Sequence, residues 1–187
     1  WFVLLSTWRV DLYDIARDPS LANYREVWTR YLPSMAYTAG VAAATALLTT
    51  GLGLALAFLI RFRAGRWGPL LLFVVLVTLF GGYLMKIYAW KTILGNEGLL
   101  NSALLSAGVV REPVEWLLYS TPAVVLTLVH FALPFAVLPI YAGLRGITDA
   151  EMDAARDLGA SSGATLATVV LPRAQGGIAA AFTLAFL

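Results

Sequence analysis

The chain has 187 residues, of which 60% are hydrophobic and only 13% charged, with a mean hydropathy of +0.79. A soluble domain carries roughly 25% charged residues, so this composition argues against a water-soluble core and for a lipid environment. A net charge of +2 without any Lys/Arg-rich run is too small to imply a nucleic-acid partner, and the absence of cysteine excludes disulfides, thiol chemistry and Cys-ligated metal.

The charges are also segregated. After Arg30 none appears until Arg61, after Arg66 none until Lys86, and after Glu115 none until Arg145. Each gap is long enough for a helix to cross a bilayer core, which takes about 18 to 20 residues. The expected fold is therefore an all-α, polytopic membrane protein forming a single transmembrane domain over 1–187, with no catalytic centre and no metal site of its own. The chain opens on Trp1 and both ends lie in apolar sequence, so it reads as a fragment truncated at both ends.

In chain order, residues 1–6 read as the outer end of a partial span. Residues 7–33 are mixed, with Arg9, Arg17, Arg25 and Arg30 balanced by Asp11, Asp14, Asp18 and Glu26. Asp18-Pro19-Ser20 signals a turn or short helix, and 21–31 a stretch lying along the membrane surface with Trp28 and Tyr31 at the interface. Residues 35–60 are the first complete span, rich in Gly, Ala and Thr, as expected of a helix packed closely against neighbours. Arg61, Arg63 and Arg66 follow without an acid, the strongest positive-inside signal in the chain.

The second span is predicted at 69–90, with Gly81-Gly82 loosening it, Lys86 snorkelling, and Tyr88 and Trp90 anchoring its end. Residues 91–119 form an outer loop containing the turn cluster 95–98 and an apolar piece, 99–110, too short to cross. The third complete span is 122–144, interrupted by Pro134 and Pro139, whose freed carbonyls neighbouring helices must satisfy. His130, the only histidine, has no second ligand type clustered with it and reads as a packing or hydrogen-bonding residue. A partial span begins at 174 and runs to 187.

Between the last two spans lies the long charge-bearing segment 145–173. Thr148 and Glu151 have capping-box spacing, and Asp149, Glu151 and Asp153 place negative charge at a helix start. Ala154 and Ala155 propagate the helix, Gly159 closes it, Ser161 or Ser162 caps a second short helix, and Pro172 ends that one. Alternation across the spans puts this helix-turn-helix wedge on the same, cytoplasmic side as 61–66. An ordinary amphipathic connector has the same local chemistry.

These residues carry a family resemblance. Asp153-Ala154-Ala155, Gly159 and Val169-Val170-Leu171-Pro172 have the spacing of the cytoplasmic EAA loop of binding-protein-dependent ABC importer permeases: Glu-Ala-Ala, three residues, Gly, nine residues, Ile, any residue, Leu-Pro. Asp153 stands where Glu is usual and Val169 where Ile is usual. The stretches DPSLANYREVW and YLMKIYAWKTILGNEGLLNSAL resemble the spermidine/putrescine branch, with Ile87 in place of a usual Thr.

The resemblance implies a helical bundle of the type I ABC importer permease kind, here a fragment of a six-span subunit in a bacterial inner membrane. It implies that the 148–172 wedge enters a cleft on an ATPase subunit, which uses ATP and Mg. Asp153 and Arg156 then make polar contacts, Ala154 and Ala155 allow close approach, Gly159 sets the turn, and Val169, Leu171 and Pro172 lead into the last span. It implies a second, homologous or identical permease subunit and an extracytoplasmic solute-binding protein. The chain carries no Gly-rich phosphate loop ending in Gly-Lys-Ser/Thr, so energy must come from that partner. Tyr83, Tyr88 and Trp90 offer cation–π faces to a polyamine along a pathway, or serve as interfacial anchors. An ion-coupled secondary transporter or channel, or a membrane scaffold gripping a soluble partner, are the rival readings.

Overall fold

The computed structural model describes residues 1–11 and 14–187, and the side chains of all of these except 2, 3, 9–11 and 14–19. The chain divides into two compact units, Trp1–Val41 and Ala42–Leu187.

The first unit holds a short helix α1 (Phe2–Ser6), strands β1 (Trp8–Asp11) and β2 (Asp14–Pro19) paired antiparallel, and the opening of the long helix α2 (Ala22–Phe58). Ser20 Oγ accepts from the Ala22 amide at 3.1 Å, giving one orphan donor at the start of α2 a partner. The Asn23 side-chain amide donates to the carbonyls of Ser6 at 3.1 Å and Trp8 at 2.8 Å. One expectation is corrected here: Asp18 and Pro19 end a strand instead of opening a turn. Residues 22–31 form the first turns of α2. Pro33 sits inside α2, where it removes a single ladder bond that a helix this long absorbs.

In the second unit α2 ends in a π-helical turn, Leu59–Arg63, followed by a 3₁₀ turn at Gly65–Trp67. Then come α3 (Gly68–Phe80), α4 (Tyr83–Leu94), α5 (Leu99–Ser106) and α6 (Thr121–Leu144). The last elements are α7 (Asp149–Asp157), α8 (Ser162–Thr165), a π-helical turn at Leu166–Val170, and α9 (Leu171–Phe186). Among the described residues three stretches, Ala22–Arg63, Glu115–Leu144 and Ser162–Phe186, are long and apolar enough to cross a membrane, and the bent pair Gly65–Phe80 and Tyr83–Ser106 is a fourth if it counts as one span. The body of the chain is thus helical and multi-pass; the hairpin is the only strand content among the described residues.

The core of this unit runs along α6 and α9, with Val137, Ile140 and Leu144 of α6 against Val170, Ala174 and Ala181, and with Ile147 and Met152 closing its base. Small residues make this approach possible. A Cβ on Gly177 would lie 2.4 Å from the Pro139 carbonyl oxygen, and one on Gly53 would lie 2.9 Å from Ala136 Cβ. This is the small-residue packing that membrane helices need, because lipid supplies no hydrophobic drive between them.

The stretch expected to span at 69–90 is sharply bent at the glycine pair expected to loosen it. Gly81 and Gly82 adopt extended conformations, with ψ of 111° and 147°, and the helical stretches on either side meet at a bend of 100°. Glycine loses the most freedom in a helix, so two in succession mark the weakest point of the run. At 13 residues, α3 reaches roughly 20 Å, short of the ~30 Å bilayer core. Lys86 does not snorkel either. It is 6% exposed, with its Cε 3.7 Å from the Cβ position of Gly81 and its Nζ 5.2 Å from the Phe131 ring centroid. Beyond α4, Asn101 ties the 95–114 loop: its Nδ2 donates to Gly95 O at 3.0 Å, and its Oδ1 accepts from the Val114 amide at 2.8 Å.

Candidate functional site

The segment from Ile147 to Pro172 is built by local chemistry. Thr148 caps α7: its Oγ1 accepts from the Glu151 amide at 3.3 Å, while the Glu151 carboxylate accepts from the Thr148 amide at 2.8 Å. This reciprocal pair gives two orphan amides their partners. The Thr148 backbone N–H, then its hydroxyl, hold the Glu151 carboxyl below the usual carboxylate range, and Arg173 adds to the effect. At the other end the Ala160 amide bonds to Ala155 O at 3.0 Å and the Gly159 amide to Arg156 O at 2.8 Å. With Gly159 at φ +84°, this is a Schellman closure. Ser161 Oγ then accepts from the Ala164 amide at 3.3 Å and starts α8.

One expectation for this segment is corrected. Pro172 does not end the second helix. Helical backbone continues from α8 through the π-helical turn into α9, and Pro172 sits in the first turn of α9. A proline's missing amide costs least in a first turn, where no intrahelical partner awaits it.

The faces of α7 divide cleanly. Met152 is buried in the core, while Asp153, Ala154, Arg156 and Asp157 face outward. Asp153 Oδ1 and Arg156 Nη1 pair at 2.8 Å, both well exposed. A shallow groove between α7 and the foot of α9 is lined by Ala154, Ala155, Leu158, Val169 and Pro172, with Glu151 and Arg173 at one end. Leu158 stands at its lip, 89% exposed. The predicted residues Asp153, Ala154, Ala155, Arg156, Gly159, Val169, Leu171 and Pro172 therefore come together on one wedge, with Ala155, Val169 and Leu171 half-buried and the others exposed.

Sequence reasoning missed two arginines that hold this wedge. Arg173 Nη2 meets Glu151 Oε1 at 2.7 Å, joining α9 to α7. Arg61 Nη2 donates to Ile147 O at 2.6 Å, and its Nη1 lies 3.4 Å from Asp149 Oδ1. Arg61 read only as part of a positive loop, because nothing local marks a partner 88 positions away.

The aromatic candidates do not form one set. Tyr83 and Trp90 line an apolar cavity between α4 and α6 together with Tyr119, whereas Tyr88 is exposed elsewhere. Tyr83 meets Phe131 edge-on at 5.2 Å, and Trp90 Nε1 donates to His130 Nδ1 at 3.1 Å. His130 thus has the hydrogen-bonding role read for it, with its ring oriented by Trp90.

No family model matches the chain. It is 34% identical over 148 residues to the spermidine/putrescine transport system permease protein PotB of Haemophilus influenzae, covering 79% of this chain and 50% of that protein. It is 32% identical over 169 residues to PotB of Escherichia coli K12, covering 90% of this chain and 61% of that protein. An inner membrane ABC transporter permease protein of the same organism, YdcU, is 30% identical over 135 residues, 66% of this chain and 42% of that protein. The chain thus spans between half and two thirds of the length of the curated PotB relatives it matches. The resemblance read from the wedge and from residues 83–104 is borne out: the chain is a relative of the permease proteins of spermidine/putrescine ABC transport systems.

Proposed function

We propose that the chain is a transmembrane subunit of an ABC importer that moves a small solute, a polyamine such as spermidine or putrescine, across a bacterial inner membrane. The observation that carries this is the wedge itself: a doubly capped, acid-led helix with an exposed apolar lip and groove, standing between two membrane-crossing helices. ATP and Mg are used by a separate ATPase subunit that receives α7. A second permease subunit completes the passage, and an extracytoplasmic binding protein delivers the solute. Closure of the ATPase pulls on α7, and the attached helices switch the passage between inward- and outward-open states as rigid bodies. The helices α3, α4, α6 and α9 contain no Asp or Glu to pair with a polycation, so selection rests mainly with the binding protein.

The test is uptake of labelled spermidine and putrescine by vesicles holding the complete transporter. Uptake that needs ATP inside and binding protein outside is the expected result. Uptake that continues undiminished without nucleotide, or is driven by an ion gradient, overturns the reading.

A further inference from the structure

Arg61 joins parts of the chain that are far apart in sequence. It sits in the π-helical turn that ends α2, and its guanidinium reaches the Ile147 carbonyl at 2.6 Å, where α6 gives way to α7. Its second nitrogen lies 3.4 Å from Asp149 Oδ1, and its guanidinium carbon stands 4.8 Å from the Phe62 ring centroid. The two contacts differ in kind. The Arg61 side chain is 23% exposed and that of Asp149 is 82% exposed, so the ion pair is open to water and weak. The bond to Ile147 goes to the backbone of a residue that is 1% exposed and seated in the core. A charged donor on a sheltered carbonyl is the stronger and more directional of the two.

On its other side, α7 is tied to α9 by Arg173 and Glu151 at 2.7 Å. The wedge is therefore held from both the α2 side and the α9 side.

We propose that Arg61 is a positioning residue through which movement of α7 is delivered to α2, so that a pull on the wedge moves two membrane helices together. This rests on the importer reading above. Without the clamp, α2 keeps its packing on α6 at Gly53 and Ala136, but loses its direct tie to the wedge and follows α7 less closely. ATP is then hydrolysed with little solute moved.

The experiment uses the complete transporter in vesicles and measures uptake per ATP hydrolysed for Arg61→Gln, Arg61→Lys and Asp149→Asn. Arg61→Gln is expected to lower that ratio about tenfold while the ATPase still co-purifies and hydrolyses. Arg61→Lys keeps a cation that can reach one acceptor and falls in between. Asp149→Asn leaves the ratio near that of the unmodified transporter. This stretch has no cysteine, so in a transporter whose other cysteines are replaced, spin labels introduced through Ala64→Cys and Ala150→Cys report the clamp directly. Their distance distribution is expected to stay narrow through the ATP cycle and to broaden with Arg61→Gln. An unmodified transporter that shows no ATP-driven uptake overturns the importer reading. With uptake present, a ratio within about twofold for Arg61→Gln, or an unbroadened distance, overturns the clamp alone.

Discussion

At Gly159 the backbone takes φ +84° so that two amides can turn back onto the last carbonyls of α7. A Cβ there meets nothing within 4 Å, so the cost of Gly159→Ala is purely conformational, about 1 kcal/mol for an L-residue in the left-handed region. Gly159→Ala is expected to speed amide exchange through α7 about fivefold, and exchange at the unmodified rate would show the turn is not strained. The opposite cap carries a pH signature. Because the folded pKa of Glu151 is lowered, its contribution is complete above the ordinary carboxylate pKa of about 4.3. It is lost as pH falls through the lowered value. Protection of the α7 amides is therefore expected to be flat from neutral pH to about 5 and to fall only in stronger acid, as protonation takes the acceptor from the Thr148 amide. Thr148→Ala removes the hydroxyl half of the cap, at about 1 kcal/mol.

Among the elements, the α6–α9 pair and the α3–α4 break pose opposite demands on glycine. Gly177 is needed for space: its Cβ position is 2.4 Å from the Pro139 carbonyl oxygen and 2.9 Å from Ile140 Cα, all backbone that cannot step aside. Gly177→Ala must push α6 from α9, at about 1–3 kcal/mol, measurable as a lowered unfolding temperature in detergent. Gly81 and Gly82 are different, since added methyls meet nothing closer than 3.6 Å and neither glycine has positive φ. Changing both to Ala favours helix by roughly 1 kcal/mol each without forbidding the bend. The expected result is a longer distance between spin labels on α3 and α4, and an unchanged distance would show that packing of Lys86 and Phe131 sets the angle. These cases explain what could be read in advance. The caps and turn of the wedge depend on residues within five positions, so spacing alone revealed them. Apolar length suggested a span at 69–90 and Gly81-Gly82 marked its weak point, but hydropathy does not register the angle of the bend. The Arg61 and Arg173 ties join segments that only the tertiary fold brings together, so no local pattern could announce them.

For the molecule as a whole, the exposed charges of α7 decide how a charge reversal should act. Asp153 and Arg156 pair at 2.8 Å on the outer face of α7, where both side chains are more than half exposed. Such a pair contributes at most about 1 kcal/mol to the fold, so Asp153→Lys should leave the chain's unfolding temperature nearly unchanged. Its effect on a docked partner is expected to be much larger. On the proposed importer function, the acid offered to the ATPase cleft becomes a basic group beside Arg156, and two like charges are then driven into a site that sheds water. The expected outcome is a fall of about tenfold or more in ATP-driven uptake, with ATPase association that weakens further as salt is lowered, because repulsion is then less screened. An ordinary connector would tolerate the same change, because Met152 and Ile147 anchor the wedge from its buried face and do not depend on Asp153. Normal uptake by a stably folded Asp153→Lys transporter would therefore place the energy input somewhere other than α7.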